Sequence, residues 1–170
     1  TDYVYNANQQ LVKVVQGADA PGGARPETLY EYEPAGARRL LRVTDPLGRT
    51  TAYDYDARDR CVRIVYNDQT TERFFYGSGP DANLIVKQKD RLGNVTKFEY
   101  DNAGRKVRTV EAYARMDAND NETPNDPSIQ AEEICTYRAG TTLKSSCLRA
   151  GEKTEYAYDY RNRLKSTTVY

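Results

Sequence analysis

The fold of this chain is decided by a short phrase that recurs along it, clearest as YDYDARDRCV at residues 53–62 and FEYDNAGRKV at residues 98–107. Each copy reads aromatic, any residue, aromatic, a polar turn, then an apolar strand. Anchored on the second aromatic position, seven copies occur, at Tyr5, Tyr32, Tyr55, Tyr76, Tyr100, Tyr137 and Tyr158. A repeat with a base period of about 21–24 residues predicts a stack of small, similar units.

Each unit has the pattern of one β-hairpin. In the copy at 53–62, Tyr53 and Tyr55 share one face while Asp54 and Asp56 take the other, and this period of two with aromatic residues is typical of strands. The Asp after the second aromatic residue can accept hydrogen bonds from turn amides. Gly104 follows three residues later in its copy, where a turn needs a positive φ.

We therefore predict an all-β fold, an array of about seven consecutive antiparallel β-hairpins forming a long curved or spiralling sheet. Residues 1–170 are expected to form a single array, with loop insertions at about 17–27 and 112–131. The chain starts at Thr1 without an initiator methionine, so we expect it to be part of something larger, by processing or by excision. The ends of such an array are open sheet edges.

These units resemble the tyrosine-aspartate (YD) repeat, also called the Rhs repeat. The phrase of that family runs roughly G-x-x-x-x-x-x-Y-D-x-x-G-R-L, and the stretch from Gly93 to Val107 fits it nearly position for position. The copies at 53–62 and 158–164 fit with Asp59 and Asn162 in the glycine position, and the other copies are degenerate. The residues that define the repeat are Tyr32, Tyr53, Tyr55, Asp56, Tyr100, Asp101, Gly104, Arg105, Tyr158 and Asp159.

The resemblance implies a structural role. Similar arrays occur in bacterial Rhs toxins, in the shell components of insecticidal toxin complexes and in teneurins, where they wind into a hollow β-shell that can enclose a polypeptide. The partners it implies are neighbouring repeats or domains of a larger protein and an enclosed toxin polypeptide, and the setting it implies is secreted or at a bacterial cell surface. Seven units are too few for a closed shell, and the family's self-cleavage is not carried over.

Composition argues against most chemistry. Lys plus Arg and Asp plus Glu number 25 each, so no electrostatic attraction to nucleic acid is expected. The chain has no histidine, which excludes Ser-His-Asp and Cys-His catalysis and histidine-containing metal sites. No apolar run is long enough to span a membrane. We predict no enzyme activity, no catalytic residues and no cofactor.

Three interpretations that assign a function to particular residues remain open, each beside a structural alternative. The tyrosine stripe is either sheet core, which the repeat register favours, or a carbohydrate-binding face. The turn aspartates could be paired carboxylates for glycoside cleavage, but the turn already explains them. In the second insertion Asp117, Asn119 and Asn121 alternate as at the start of a calcium loop, although Glu122 replaces the usual glycine. A solvated loop is the favoured alternative there, and no metal site is favoured.

Cys135 and Cys147 flank the predicted sixth hairpin and are either cross-strand neighbours or one step apart. A disulfide between them would indicate an extracytoplasmic location. Cys61 occupies an apolar position of the repeat and is predicted to fill space.

Two functions follow from this reading. The first is a non-enzymatic structural segment, shell or stalk, of a large secreted or surface protein. The second is an extracellular module that binds carbohydrate or protein. An exposed cluster of tyrosines outside the repeat register would favour this second function. The residues that decide between them are Tyr66, Tyr113, Tyr160 and Tyr170.

Overall fold

The computed structural model describes residues 1–17, 23, 25–34 and 38–170. Regular structure in these residues consists of fifteen β-strands and two short 3-10 turns. The chain divides into two compact units, Thr1–Arg73 and Phe74–Tyr170. Within each unit the strand order follows the chain order, apart from the short strand Glu122–Pro124, which lies off this path, and all the described strand pairs are antiparallel.

The first unit holds three complete hairpins. Its strands are β1 (Asp2–Tyr5), β2 (Leu11–Val15), β3 (Glu27–Tyr32), β4 (Leu40–Thr44), β5 (Thr50–Tyr55), β6 (Cys61–Val65) and the start of β7 (Thr71–Tyr76). In all three hairpins the register shifts immediately before the second tyrosine, at Tyr5, Tyr32 and Tyr55. The repeat therefore places a bulge at the same position in each hairpin, where the strand enters its turn.

The second unit begins within β7 and holds four more hairpins. Its strands are β8 (Ile85–Lys89), β9 (Asn94–Tyr100), β10 (Lys106–Met116), β11 (Glu122–Pro124), β12 (Ala131–Tyr137), β13 (Lys144–Arg149), β14 (Glu152–Tyr158) and β15 (Leu164–Val169). The 3-10 turns are Gly79–Asp81 and Pro127–Ile129. The predicted all-β fold with seven consecutive antiparallel hairpins is confirmed.

Eight turns in the described residues share one backbone geometry. The first residue's amide donates to the fifth residue's carbonyl, and the fourth residue's amide donates to the first residue's carbonyl. The fourth residue has a positive φ in each, whether it is Gly104 (73°), Asp59 (61°) or Asn162 (60°). These five-residue turns begin at Asn6, Asp45, Asp56, Tyr66, Asp90, Asp101, Asp117 and Asp159.

Few side chains are fully buried, as expected when hairpins follow one another without a second covering layer. Three of the buried side chains form a cluster in the second unit: Val95, Ala114 and Met116 are at most 6% exposed, with Phe75 and Tyr113 packed against them. The backbone approaches closely there, because a Cβ on Gly93 would lie 2.7 Å from the Met116 carbonyl oxygen. The cluster lies where β10 runs on into the second insertion.

The second insertion carries structure of its own. β11 pairs with the end of β10, and the turn Pro127–Ile129 follows it. Lys87 Nζ lies 2.5 Å from Glu122 Oε2 and so holds β11 against β8. The end of β10 lies within the stretch 112–131, and the apolar Ala114 and Met116 are buried there. The first insertion, at about 17–27, lies largely outside the described residues.

Candidate functional site: contacts between neighbouring hairpins

The repeat's aspartate organises the turn that follows it. In the copy at 98–107, Asp101 Oδ1 accepts the amides of Ala103 and Arg105, and Asp101 Oδ2 accepts Arg105 Nε at 2.7 Å. The same three bonds recur at Asp45, Asp56 and Asp159, each with an arginine as the fifth residue. The hydrogen bond from Arg60 is the largest cause that lowers the pKa of Asp56 to about 2. The motif thus fixes the direction in which its arginine leaves the turn.

In three copies the repeat's second tyrosine connects its hairpin to the preceding one. Tyr55 Oη donates to the carbonyl of Leu40 at 3.0 Å, Tyr100 Oη to Ile85 at 2.7 Å and Tyr137 Oη to Lys106 at 2.7 Å. Each acceptor is the first residue of the strand in the preceding hairpin that pairs with the tyrosine's strand. Burial raises the pKa of all three tyrosine hydroxyls.

These hydroxyls extend the backbone ladder between hairpins. Pairing of β4 with β5 runs from Thr44 to Arg42, and the Leu40 carbonyl lies two residues beyond the last pair. Pairing of β8 with β9 likewise ends at Lys87, two residues from Ile85. A tyrosine hydroxyl therefore satisfies a carbonyl at the point where the strands splay, which would otherwise lack a strand partner.

Where an arginine immediately precedes the acceptor residue, that arginine adds a second contact between the hairpins. The guanidinium carbon of Arg105 lies 4.9 Å from the centroid of the Tyr137 ring, and Arg105 Nη1 donates to the Thr141 carbonyl at 2.7 Å. Arg39 lies 5.9 Å from the Tyr55 ring and pairs with Asp59 at 3.0 Å. Each of these two arginines thus contacts the ring and the turn of the next hairpin. We call the tyrosine bond, together with the arginine contacts where they are present, a hairpin clasp.

Six of the ten residues that define the repeat make the contacts described above, and Asp159 does so within its own turn. Tyr55, Tyr100, Asp56, Asp101 and Arg105 bond within their own turn or to the neighbouring hairpin. Gly104 supplies the turn's positive φ. Tyr32, Tyr53 and Tyr158 are half-buried at or near the ends of their strands. Sequence reasoning found the tyrosines and aspartates but missed the partners, since a backbone carbonyl in the preceding hairpin leaves no mark in the sequence.

The tyrosines outside the repeat register fall into two groups. Tyr66 Oη bonds Glu72, and the Tyr113 ring packs against the buried cluster beneath Lys97. Tyr160 and Tyr170 are 86% and 70% exposed, and Tyr170 Oη contacts Glu155 at 3.3 Å. An exposed aromatic surface is thus confined to the last hairpin among these four residues.

The candidate calcium residues lie in one of the eight five-residue turns. Asp117 Oδ1 accepts the amides of Asn119 and Asn121, and its other oxygen accepts Asn121 Nδ2 at 2.9 Å. The buried Lys89 ammonium lies 3.2 Å from the Asp117 carbonyl oxygen and 3.5 Å from Asp120 Oδ1. A cation therefore already faces this turn. Calcium binding here stays a prediction that the sequence did not favour.

The cysteine pair lies across the sixth hairpin. Cys135 on β12 is directly opposite Cys147 on β13, and their sulfurs are bonded at 2.00 Å. Cys61 is half-buried, and its thiol lies 3.6 Å from the carbonyl oxygen of Arg63. None of the described residues forms a helix that could cross a membrane.

Known proteins match this chain by repeat and by fold. The family profile described as RHS Repeat matches residues 39–71 and 81–116, which contain the clasped turns at Asp56 and Asp101. No curated protein matches the chain in sequence.

Solved structures with the same fold include the crystal structure of TcdB2-TccC3, at a TM-score of 0.62 and 15% identity over 99% of this chain. TcdB2-TccC3 without its hypervariable C-terminal region matches at a TM-score of 0.60 and 16% identity over 85%. The chain spans 10% and 8% of those two chains. The profile match covers the repeats in those two stretches, and the likeness to these solved structures lies in the fold.

Proposed function

We propose that this chain is a non-enzymatic structural segment of a large YD-repeat protein, a stretch of β-shell or stalk that encloses or displays other domains. The observation that carries the proposal is the hairpin clasp. Tyr100 and Tyr137 each bond to the preceding hairpin, Arg105 bonds to the following one, and Asp101 holds Arg105 in its own turn, so these side chains connect neighbouring hairpins. Residues occupied in this way are poorly placed to act on a substrate.

The charge pattern of the strands supports the same role. Asp54 faces Arg63 across β5 and β6, and Glu31 faces Arg42 across β3 and β4. In the second unit Glu99 Oε1 lies 3.0 Å from Arg108 Nη1, and Arg108 also pairs with Glu132. Alternation along a strand places these ion pairs on the face opposite the repeat tyrosines in each hairpin. A segment of β-shell or stalk needs a charged face of this kind on the side that is exposed to water.

We further propose a secreted or cell-surface location in a bacterium, with an enclosed polypeptide or neighbouring domains of the same protein as partners. Support comes from the Cys135–Cys147 disulfide, because such bonds persist in oxidising compartments, and from the resemblance to toxin-complex shells.

An extracellular binding module is the second candidate, and the exposed ring of Tyr160 favours it, because aromatic rings stack on sugars and on peptide groups. A glycan array probed with the chain and with its Tyr160→Ser variant tests it. Binding that the variant loses would support this candidate over the structural one.

The structural proposal predicts that the array can be extended at the edge strand β15, and this is testable. β15 pairs with β14, and all six of its residues are exposed. Lys153 and Tyr170 exchange both backbone bonds, so alternation turns the amide of Thr167 away from β14. That amide is available to a further strand, and open edges of this kind pair with other strands.

The experiment is light scattering over a concentration series. We expect the mass to rise above the 19.3 kDa monomer as concentration increases. Thr167→Pro should reduce this association, because proline removes the outward amide, whereas Thr167→Val keeps the amide and should associate as before. A monomer at every concentration, or equal association of all three chains, would contradict the proposal.

A further inference from the structure

Three metal-ligating side chains converge on one face of the sixth hairpin. Glu133 and Cys135 lie two residues apart on β12 and so point to the same side of the sheet, and Cys147 lies directly opposite Cys135 on β13. A carboxylate oxygen of Glu133 and the two sulfurs all lie within 4.8 Å of one another. Both cysteines are 5% exposed, while Glu133 is half-buried.

Solvent reaches this cluster from one side. An open groove of about 340 Å³ is lined by Glu133 and Cys147 together with Arg149, Glu152, Thr154 and Tyr156. The cluster therefore has three donors from the protein and an approach for a fourth ligand. That arrangement differs from a structural metal site, which is closed by four protein ligands.

We propose that the reduced form of this cysteine pair, together with Glu133, binds a divalent cation of the zinc class, with water from the groove as the fourth ligand. Thiolate is the ligand that zinc and cadmium prefer, and a carboxylate oxygen is a common third donor. Tetrahedral coordination with zinc–sulfur bonds of about 2.3 Å places two sulfurs about 3.8 Å apart. Two cysteines freed from their mutual bond reach that separation by rotating about χ1.

The chemistry balances in two steps. A dithiol reductant gives two electrons and two hydrogens to the Cys135–Cys147 disulfide, which becomes two thiols while the reductant becomes a disulfide. The cation then binds both sulfurs as thiolates and releases two protons to water. The hairpin is bridged in both states, by the covalent bond when oxidised and by the metal when reduced.

The charges around the cluster are consistent with a bound cation. Two thiolates and a carboxylate exceed the charge of a divalent ion by one, and Lys144 Nζ, 3.9 Å from Glu133 Oε2, offsets that excess. Arg149, opposite Glu133, is held by Glu111 at 2.7 Å. Its positive charge is thus already paired with a carboxylate from another strand.

The test uses the full chain in a Cys61→Ser background, so that the pair supplies the only thiols. The chain is reduced, freed of reductant without oxygen, and titrated with Cd²⁺ while the ultraviolet absorption from thiolate to cadmium is recorded. Zn²⁺ is then added as a competitor. We expect saturation at one cadmium per chain, no absorption change in the oxidised chain, and displacement by zinc.

Glu133→Gln should weaken cadmium binding about 10-fold or more, by analogy with the effect of losing groups that tune a metal site. Glu132→Gln is the matched control, because Glu132 is the adjacent residue, lies on the opposite face and pairs with Arg108. Circular dichroism establishes that the reduced chain keeps its strands. Equal affinities of the two variants, no saturable absorption, or binding only by a chain that has unfolded on reduction would each overturn the proposal.

Discussion

Removing one hydroxyl from a hairpin clasp should have a measurable cost. Tyr100 Oη donates to the Ile85 carbonyl at 2.7 Å, and Tyr100→Phe deletes that donor while it keeps the ring. A neutral hydrogen bond contributes about 1 kcal/mol net, and its loss also leaves a half-buried carbonyl without this donor. We expect the free energy of unfolding to fall by about 1 kcal/mol.

Urea unfolding followed by circular dichroism measures this change. With a slope of about 2 kcal/mol per molar urea, a loss of about 1 kcal/mol lowers the midpoint by about 0.5 M. Tyr160→Phe is the control, because it makes the identical chemical change at a ring that is 86% exposed. If Tyr100→Phe shifts the midpoint no more than Tyr160→Phe does, the tyrosine hydroxyls do not stabilise the array and the reasoning fails.

Three further predictions concern the turns and the sixth hairpin. Arg105→Gln should lower the free energy of unfolding in urea by about 1 kcal/mol more than Arg163→Gln does. Both arginines pair with the aspartate of their own turn, but Arg105 also contacts the next hairpin. Equal losses of free energy in the two variants would argue against the clasp. A carboxylate whose folded pKa is lowered stabilises the fold above its ordinary pKa, so the contribution of Asp56 should be complete above pH 3.8 and be lost as pH falls towards 2. The urea midpoint should therefore fall less between pH 5 and about 2.5 in Asp56→Asn than in the parent chain, and parallel pH profiles would refute this. Reduction of Cys135–Cys147, 12 residues apart, should lower the free energy of unfolding by about 2–3 kcal/mol in metal-free buffer, and an unchanged midpoint in the reduced chain would show that the bond stabilises nothing.

The sequence predicted the hairpins because their signals are local. Alternation around Tyr53 and Tyr55 defines a strand within six residues, and an aspartate with a glycine three residues later defines a turn. The turns between hairpins at Asp45 and Asp90 have the same geometry as the turns within hairpins, and they share the aspartate followed by glycine three residues later.

The side-chain contacts between hairpins could not be predicted from the sequence, for a physical reason. A tyrosine hydroxyl bonded to a backbone carbonyl constrains its partner's position and not its identity, so Leu40, Ile85 and Lys106 share no side-chain property. The structure of the second insertion was hidden likewise. Its buried residues, Ala114 and Met116, are too few to give a periodic pattern, and they cluster with Val95 and Phe75, which lie on other strands.

The central claim is that the repeat's side chains join neighbouring hairpins, and a double-mutant cycle between Arg105 and Tyr137 tests it most directly. Arg105→Gln, Tyr137→Leu and the double variant are unfolded in urea beside the parent chain. A cation 4.9 Å from a partly exposed ring predicts a coupling free energy of about 0.5–1 kcal/mol between the two hairpins. Costs that add to within about 0.3 kcal/mol would mean that the two side chains act independently, and the account of the repeat as a hairpin clasp would be contradicted.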